Sequence, residues 1–286
     1  MIASVEGLAR EIEGLWQIDA VEIVDQRVSY PTRAVLHLRS SAGDLAAKVF
    51  ADGGGALPSG LENLLGARGA GFVHAPQVAP SRSGRYAEMT SAGAVVLMEH
   101  LPVVLNGHDT PQTWADLGSA VGTLNRIAGD RPFAIPIPTA LRDQVVRADG
   151  TAFGPGVRRL VERLETLAAL PTGGVIHGEA NPSNAGRRAT GELVLLDWDH
   201  AGTAPSAVEY GYPLVTCHIS ESLHVDEVAI ETFCHAYRGA GGVVDPSLAF
   251  DAALFHALRY MWFASTEARW ERIEFALRIE SDLTRT

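Results

Sequence analysis

The sequence predicts an α+β protein: an antiparallel sheet with one inserted helix up to about residue 101, then a mainly helical region interrupted by one polar, strand-bearing segment. Three observations carry this. Residues 20–50 alternate β-branched and polar side chains, with turn signals at Tyr30-Pro31 and at Ser41-Ala42-Gly43-Asp44, which is the pattern of a short antiparallel meander. From Thr113 onward, apolar residues recur at helical spacing in TWADLGSAVGTLNRIAG and again in GVRRLVERLETLAAL, whose arginines and glutamates mark an outer face. Between them and the last helices stands GGVIHGEANPSNAGRRATGELVLLDWDHAG, Gly173 to Gly202, far too polar for a packed core.

The remaining elements follow in chain order. MIASVEGLAREIEGLW reads as a first helix; it has neither the basic start nor the apolar stretch expected of a secretion signal. ADGGGALPSG is a loop by composition, and LENLLGARGAGF is a short helix ended by glycine. HAPQVAPSRSGRYAEMT and AVVLMEHLPV predict two more strands. DRPFAIPIPTALRD is a proline-broken connection, and GVIHG and ELVLLDW predict two short strands forming a hairpin around the polar loop. Residues from about 206 to 282 return to helix, with no internal repeat. A division into an N-terminal unit, 1–101, and a C-terminal unit, 102–286, is expected.

Bulk properties exclude several classes. The 286 residues suffice for a sizeable core, and 47% hydrophobic with 20% charged residues is an ordinary globular composition. A formal net charge of −11 argues against a nucleic-acid partner, which needs clustered Lys and Arg. No run of about 18 apolar residues occurs, so no membrane span is expected. Cys217 and Cys234 lie in apolar sequence without metal-type spacing and read as free thiols of a reducing, cytoplasmic compartment.

What chemistry does the polar segment serve? Zinc fails, because no HExxH or paired Cys/His spacing exists and His177 and His200 are too distant for one helical face. Nucleophilic hydrolysis lacks the GxSxG elbow. Phosphoryl transfer fits the residue types, since Mg²⁺ takes hard oxygen ligands and an acceptor hydroxyl takes a carboxylate. Glu179 with Asn184 five residues later, and Asp197 at the end of the next strand, supply them.

His177-Gly178-Glu179, Asn184 and Asp197-Trp198-Asp199 resemble the catalytic loop of the aminoglycoside phosphotransferase and choline kinase family, small-molecule kinases whose pattern is His-Gly-Asp, four residues, Asn, then a strand ending in Asp-Trp or Asp-Phe. The resemblance implies a protein-kinase-like two-lobed fold, ATP or GTP as phosphoryl donor, Mg²⁺, and a small hydroxylated molecule as acceptor. It implies roles as well: Glu179 orients or deprotonates the acceptor, and Asn184 and Asp197 hold the metal. Lys48 in LAAKVF, the only lysine of the chain, and Glu62 in GLENLL stand where such kinases fix the nucleotide phosphates. VVLMEHLP resembles the linker whose backbone reads the purine, which points to Glu99, His100 and Leu101. GTAPSAVEYG resembles the stretch after the metal-binding Asp, with Glu209 where the family has Asp.

Two departures follow. The catalytic Asp of the pattern is Glu179 here, and a misplacement of about 1 Å is enough to cost about 10²-fold in rate. Against that, a loose transition state depends on positioning and charge neutralisation more than on a base. QRVSYPTR replaces the glycine-rich loop, leaving Ser29, Thr32 and Arg33 either to meet phosphate or to form a plain turn. Asp199 either binds a second Mg²⁺ or caps the following loop, His177 fixes the turn through the backbone, and Arg187 and Arg188 read as solvated turn residues. His218, His224, His235, His256, Arg259, Trp262, Trp270 and Arg272 lie where the family builds its acceptor pocket. Three readings remain: an antibiotic or secondary-metabolite kinase, a sugar or amino-alcohol kinase, and a nucleotide-binding protein that has lost transfer. The sequence does not fix the oligomeric state.

Overall fold

The structure, a computed structural model, describes residues 5–30, 33–51, 60–105, 110–129, 150, 154–216, 218–219, 224–245, 248, 251–253 and 255–256. Helix α1 (Val5–Trp16) carries Leu8, Ile12 and Trp16 four residues apart, so one stripe is buried against the sheet. Strands β1 (Glu22–Tyr30), β2 (Arg33–Ser40), β3 (Gly43–Phe50), β4 (Glu88–Thr90) and β5 (Gly93–Glu99) form an antiparallel sheet in the order β1-β2-β3-β5-β4. Side chains alternate across it. Leu36, Leu38, Ala47, Val49, Val95 and Leu97 pack on α1, while Phe50, Ala94 and Val96 pack with Leu61 of helix α2 (Leu61–Gly69) on the opposite face. Leu64 and Ala67 of the same helix enter the second core, so α2 links the sheet to the helical region.

The strand expected within residues 74–90 shortens to β4. Pro76 and Pro80 remove ladder donors, and only Val78 bridges to Met98 before the chain turns. There the buried carboxylate of Glu88, 3% exposed, gathers Ser81 and the exposed Ser83 and Arg85 around it.

After β6 (Val103–Val104), helix α3 (Pro111–Leu124) begins with Thr110 as cap, its Oγ1 accepting from Thr113 N at 3.2 Å, and Pro111 at the first turn. Helix α4 (Gly154–Ala168) buries Val161 and Leu167. Strands β7 (Val175–Ile176), β8 (Ala185–Arg187), β9 (Leu193–Leu195) and β10 (Gly202–Thr203) precede α5 (Ser206–Thr216), the pair β11 (His218–Ile219) and β12 (His224–Val225), and α6 (Glu227–Gly239). Helices α3 and α6 pack so closely that a Cβ on Gly118 would lie 2.3 Å from the carbonyl oxygen of Phe233. Tyr237 Oη donates to Asn125 Oδ1 at 2.6 Å, and Asn125 Nδ2 donates to Val175 O at 2.8 Å, which ties this helix pair to β7.

The polar segment departs from the single hairpin expected of it. β7 pairs with β10, whereas β9 pairs with β8, which pairs with β6. The reason is local: a short 3-10 turn at Pro182–Asn184 redirects the chain, and residues 185–187 take the partner place that GVIHG was expected to fill. No described helix is long and apolar enough to cross a membrane. Residues 257–286, with Arg259, Trp262, Trp270 and Arg272, lie outside the described residues, as does Cys217. Cys234 is a free, half-buried thiol.

Candidate active site

The loop after β7 is built by its own polar residues. His177 Nε2 donates to Leu196 O at 2.7 Å, as its expected turn-fixing role requires, and Gly178 N donates to the buried carboxylate of Glu209 at 3.1 Å. Asn181 is the organiser that sequence reasoning passed over. Its Oδ1 accepts from Ser183 N at 2.6 Å and Asn184 N at 3.2 Å, and its Nδ2 donates to Glu179 O. The signal was present, because Asn before Pro with polar residues behind it is an Asx-turn sequence. Asn184 Nδ2 also donates to Glu179 O at 3.0 Å, which turns Oδ1 to the other side of the amide, and Leu196 N bonds Asn184 O at 2.8 Å. Glu179 and Asn184 are thus fixed to one another and to the strand that leads to Asp197.

Asp197 has left-handed backbone angles, φ 59° and ψ 61°. Asp tolerates this region better than most residues, and here the conformation delivers its carboxylate to Lys48. Lys48 Nζ donates to Asp197 Oδ1 at 2.5 Å and to Asp199 Oδ1 at 2.6 Å; Arg33 Nη1 donates to Asp199 Oδ2 at 2.6 Å. Burial alone would raise the Asp197 carboxyl, but the Lys48 ammonium, with His177 and His200 nearby, holds it below the usual aspartate range. Trp198 between the two aspartates is buried, donates Nε1 to Leu195 O at 2.8 Å, and meets Phe72 and His177 edge to face. Its carbonyl lies against the start of α2, where a Cβ on Gly60 would fall 1.4 Å from that oxygen. Only glycine allows this approach.

The other expected residues fall as follows. Glu62 is exposed in the first turn of α2, and the carboxylates bonded to Lys48 are those of Asp197 and Asp199. Ser29 sits at an irregularity of the β1–β2 ladder, and its side chain, like the whole of Thr32, lies outside the described residues. Leu101 is buried under β8. Glu99 uses its carboxylate, accepting from Gln77 N at 2.8 Å and from Arg188 Nη2 at 2.6 Å. Burial would raise Glu99, and these hydrogen bonds with the Arg188 charge hold it below the usual glutamate range. His235 is exposed on α6, and His256 Nε2 is bonded to Val208 O.

Arg188 corrects an expectation. Far from being a solvated turn residue, it is 17% exposed and joins Glu99, Glu192, Val73 O and Ala75 O; Arg187 pairs with Asp116 at 2.7 Å. Partners 71 to 115 residues away leave no mark at short range in the sequence. His200 was likewise missed as a neighbour: its Nε2 lies 3.7 Å from Glu179 Oε1.

Between sheet and helical region, Phe50, Leu64, Val96 and Met98 form the apolar wall of one cavity, and Lys48, Asp197 and Asp199 close its polar end. An apolar slot ending in charged groups is a shape that accepts a flat ring attached to phosphates.

Comparison with known proteins agrees with this geometry. Residues 55–246 match the phosphotransferase enzyme family. No curated protein sequence matches the chain. Among solved structures, spectinomycin phosphotransferase in complex with ADP and spectinomycin superposes with a TM-score of 0.65 at 13% identity, over 97% of this chain and 95% of that one. Choline kinase LicA from Streptococcus pneumoniae gives 0.63 at 14% identity over 96% and 98%. Macrolide 2'-phosphotransferase MphH from Brachybacterium faecium gives 0.62 at 18% identity over 94% and 97%. The fold is thus the protein-kinase-like one of antibiotic and choline kinases, and the chain belongs to the phosphotransferase enzyme family.

Proposed function

We propose that the chain transfers the γ-phosphoryl group of ATP or GTP to a hydroxyl of an antibiotic or other secondary metabolite. The observation that carries this is the convergence of Lys48 on Asp197 and Asp199 at the polar end of the cleft, with Glu179 and Asn184 held on the adjoining loop. Two of the similar structures are antibiotic phosphotransferases, and one contains ADP. The division of labour proposed is a nucleotide-binding unit, 1–101, and an acceptor-binding unit, 102–286.

The donor set fits Mg²⁺. Asn184, Asp197 and Asp199 offer only hard oxygens, and the Lys48 ammonium shows that the two carboxylates attract a cation. When bound, the ion neutralises charge on the phosphate oxygens. Lys48 and Arg33, released from the aspartates, pair with the nucleotide phosphates. Leu101 and Glu99 present their backbone to the purine, and Glu62, Ser29 and Thr32 line the approach to the phosphates. Glu179 accepts the proton of the acceptor hydroxyl as its oxygen bonds to phosphorus and the bond to the β-phosphate oxygen breaks. His200 Nε2 stands 3.7 Å from that carboxylate.

Incubating the protein with Mg-ATP or Mg-GTP and a panel of aminoglycosides, macrolides, nucleosides, sugars and amino alcohols, read by mass spectrometry, tests this. Phosphate transfer to an antibiotic supports the reading. Transfer only to choline or a sugar replaces the acceptor class, and nucleotide binding without transfer to any acceptor overturns it.

A further inference from the structure

We propose that His37, Asp44 and His100 form a site for one divalent transition-metal ion of the zinc class, distinct from the oxygen-lined Mg²⁺ site. The three side chains offer one ligand atom each, all within 4.8 Å of one another. They come from three separate places. His37 of β2 pairs with Ala46 of β3, so Asp44 lies two residues away on the same face of the sheet, a diagonal neighbour. His100 directly follows Glu99, which pairs with Leu45 beside them. Lys48 shares that face four residues further along β3, about 13 Å away at strand spacing.

The arrangement is under-satisfied as it stands. His37 Nε2 is buried and lies 3.3 Å from Asp44 Oδ2, yet the alignment gives no hydrogen bond, and the atom has no hydrogen-bond partner among the described residues. A buried polar nitrogen without a partner calls for an explanation, and a ligand is one. Arg39 Nε stands 3.9 Å from the other oxygen, Asp44 Oδ1, but Arg39 is 58% exposed and also faces Glu22. Asp44 Oδ2 is left for the ion.

The imidazole rings are stacked, 3.9 Å between centroids and 9° between planes. In-plane lone pairs of parallel rings do not converge, so binding requires one ring to turn, and the terminal torsion of histidine is soft. Tetrahedral donors about 2.0–2.1 Å from zinc sit roughly 3.3 Å apart, which a ring rotation and a small shift of the half-exposed Asp44 achieve. Two imidazoles and a carboxylate select Zn²⁺, Ni²⁺ or Cu²⁺ over Mg²⁺ and leave a fourth position for water. The bound ion fastens the β2–β3 hairpin to the first residue after β5.

The full chain, stripped of metal by chelation and kept in excess Mg²⁺, is titrated with Zn²⁺ by calorimetry. One equivalent binds, H37Q and H100Q each weaken it by more than about 100-fold, beyond the loss expected for an outer-shell partner, and D197N leaves it unchanged. Absence of saturable Zn²⁺ binding, or wild-type affinity retained in either histidine variant, overturns the site. For the wild type alone, Zn²⁺ shifts the imidazole nitrogen resonances of His37 and His100; shifts confined to other histidines overturn it equally. None of these readouts depends on phosphoryl transfer.

Discussion

Lys48 Nζ and Asp197 Oδ1 are bonded at 2.5 Å, so the single lysine of the chain reaches from the third strand of the sheet to the second residue after β9. This contact joins the two sides of the cleft. On the proposed function, a K48A variant loses the cation that pairs with the phosphates, and turnover falls by about 10²–10³-fold, as when one preorganised electrostatic donor is removed. Because no other lysine exists, an amine-directed acylating reagent labels one side chain besides the amino terminus. Mg-nucleotide protects it, as peptide mass mapping will read. Labelling at an undiminished rate under saturating nucleotide contradicts the assignment.

Glu179 separates two effects. E179Q keeps the size and removes the proton acceptor, so transfer falls to background while nucleotide affinity stays within about threefold, RT ln 3 being about 0.6 kcal/mol. E179D restores the shorter side chain of the family pattern but withdraws the carboxylate from a pocket set for Glu, and costs about 10–100-fold in kcat/KM. An E179D variant faster than wild type refutes the view that the surrounding pocket is adjusted to glutamate.

Arg188 acts on stability. R188A leaves the partly buried Glu99 carboxylate and the carbonyls of Val73 and Ala75 without their charged donor, and lowers the unfolding free energy in urea by about 2–3 kcal/mol. A change under about 0.5 kcal/mol means that water replaces the guanidinium.

The same carboxylates set an acid limit. Glu88 and Glu99 both titrate below the usual glutamate value of 4.5 in the folded chain. A depressed folded value contributes stability that is complete above the unfolded value and is lost as pH falls through the folded one. Thermal melts therefore show a midpoint insensitive to these groups above about pH 5 and falling below about pH 4. Substituting Glu88 by Gln flattens that fall, and an unchanged slope excludes its part in it.

Gly60 tests the seam between α2 and the turn that carries Asp197 and Asp199. G60A forces the Trp198 carbonyl to move, costs at least about 1–3 kcal/mol as an overpacked site does, and displaces Asp197 and Asp199 with it. Loss of stability without any loss of kcat at permissive temperature disproves that coupling.

The fold was legible where its cause is periodic. Leu8, Ile12 and Trp16 at four-residue spacing announce α1, and the alternation of Leu36 and Leu38 with His37 announces β2. The candidate site was legible through one compact cluster, His177 to Asp199, together with a lysine that has no rival. What stayed hidden depends on contacts between distant residues. Arg188 looks like any turn arginine until Glu99 stands beside it, and Gly60 looks like a helix start until Trp198 leans on it. His37, Asp44 and His100 share no spacing rule, and only the register of β2, β3 and β5 unites them.

The left-handed backbone of Asp197 narrows what this position tolerates during divergence or directed evolution. The conformation admits Gly, Asn and Asp readily and penalises branched or bulky residues. Of these three only Asp brings a negative charge, so drift away from it passes almost solely through Asn or Gly, each of which keeps the chain's path and gives up the anion. On the proposed function, Asn is then the natural choice for an inert form that keeps its shape, suited to capturing donor and acceptor together in one crystal.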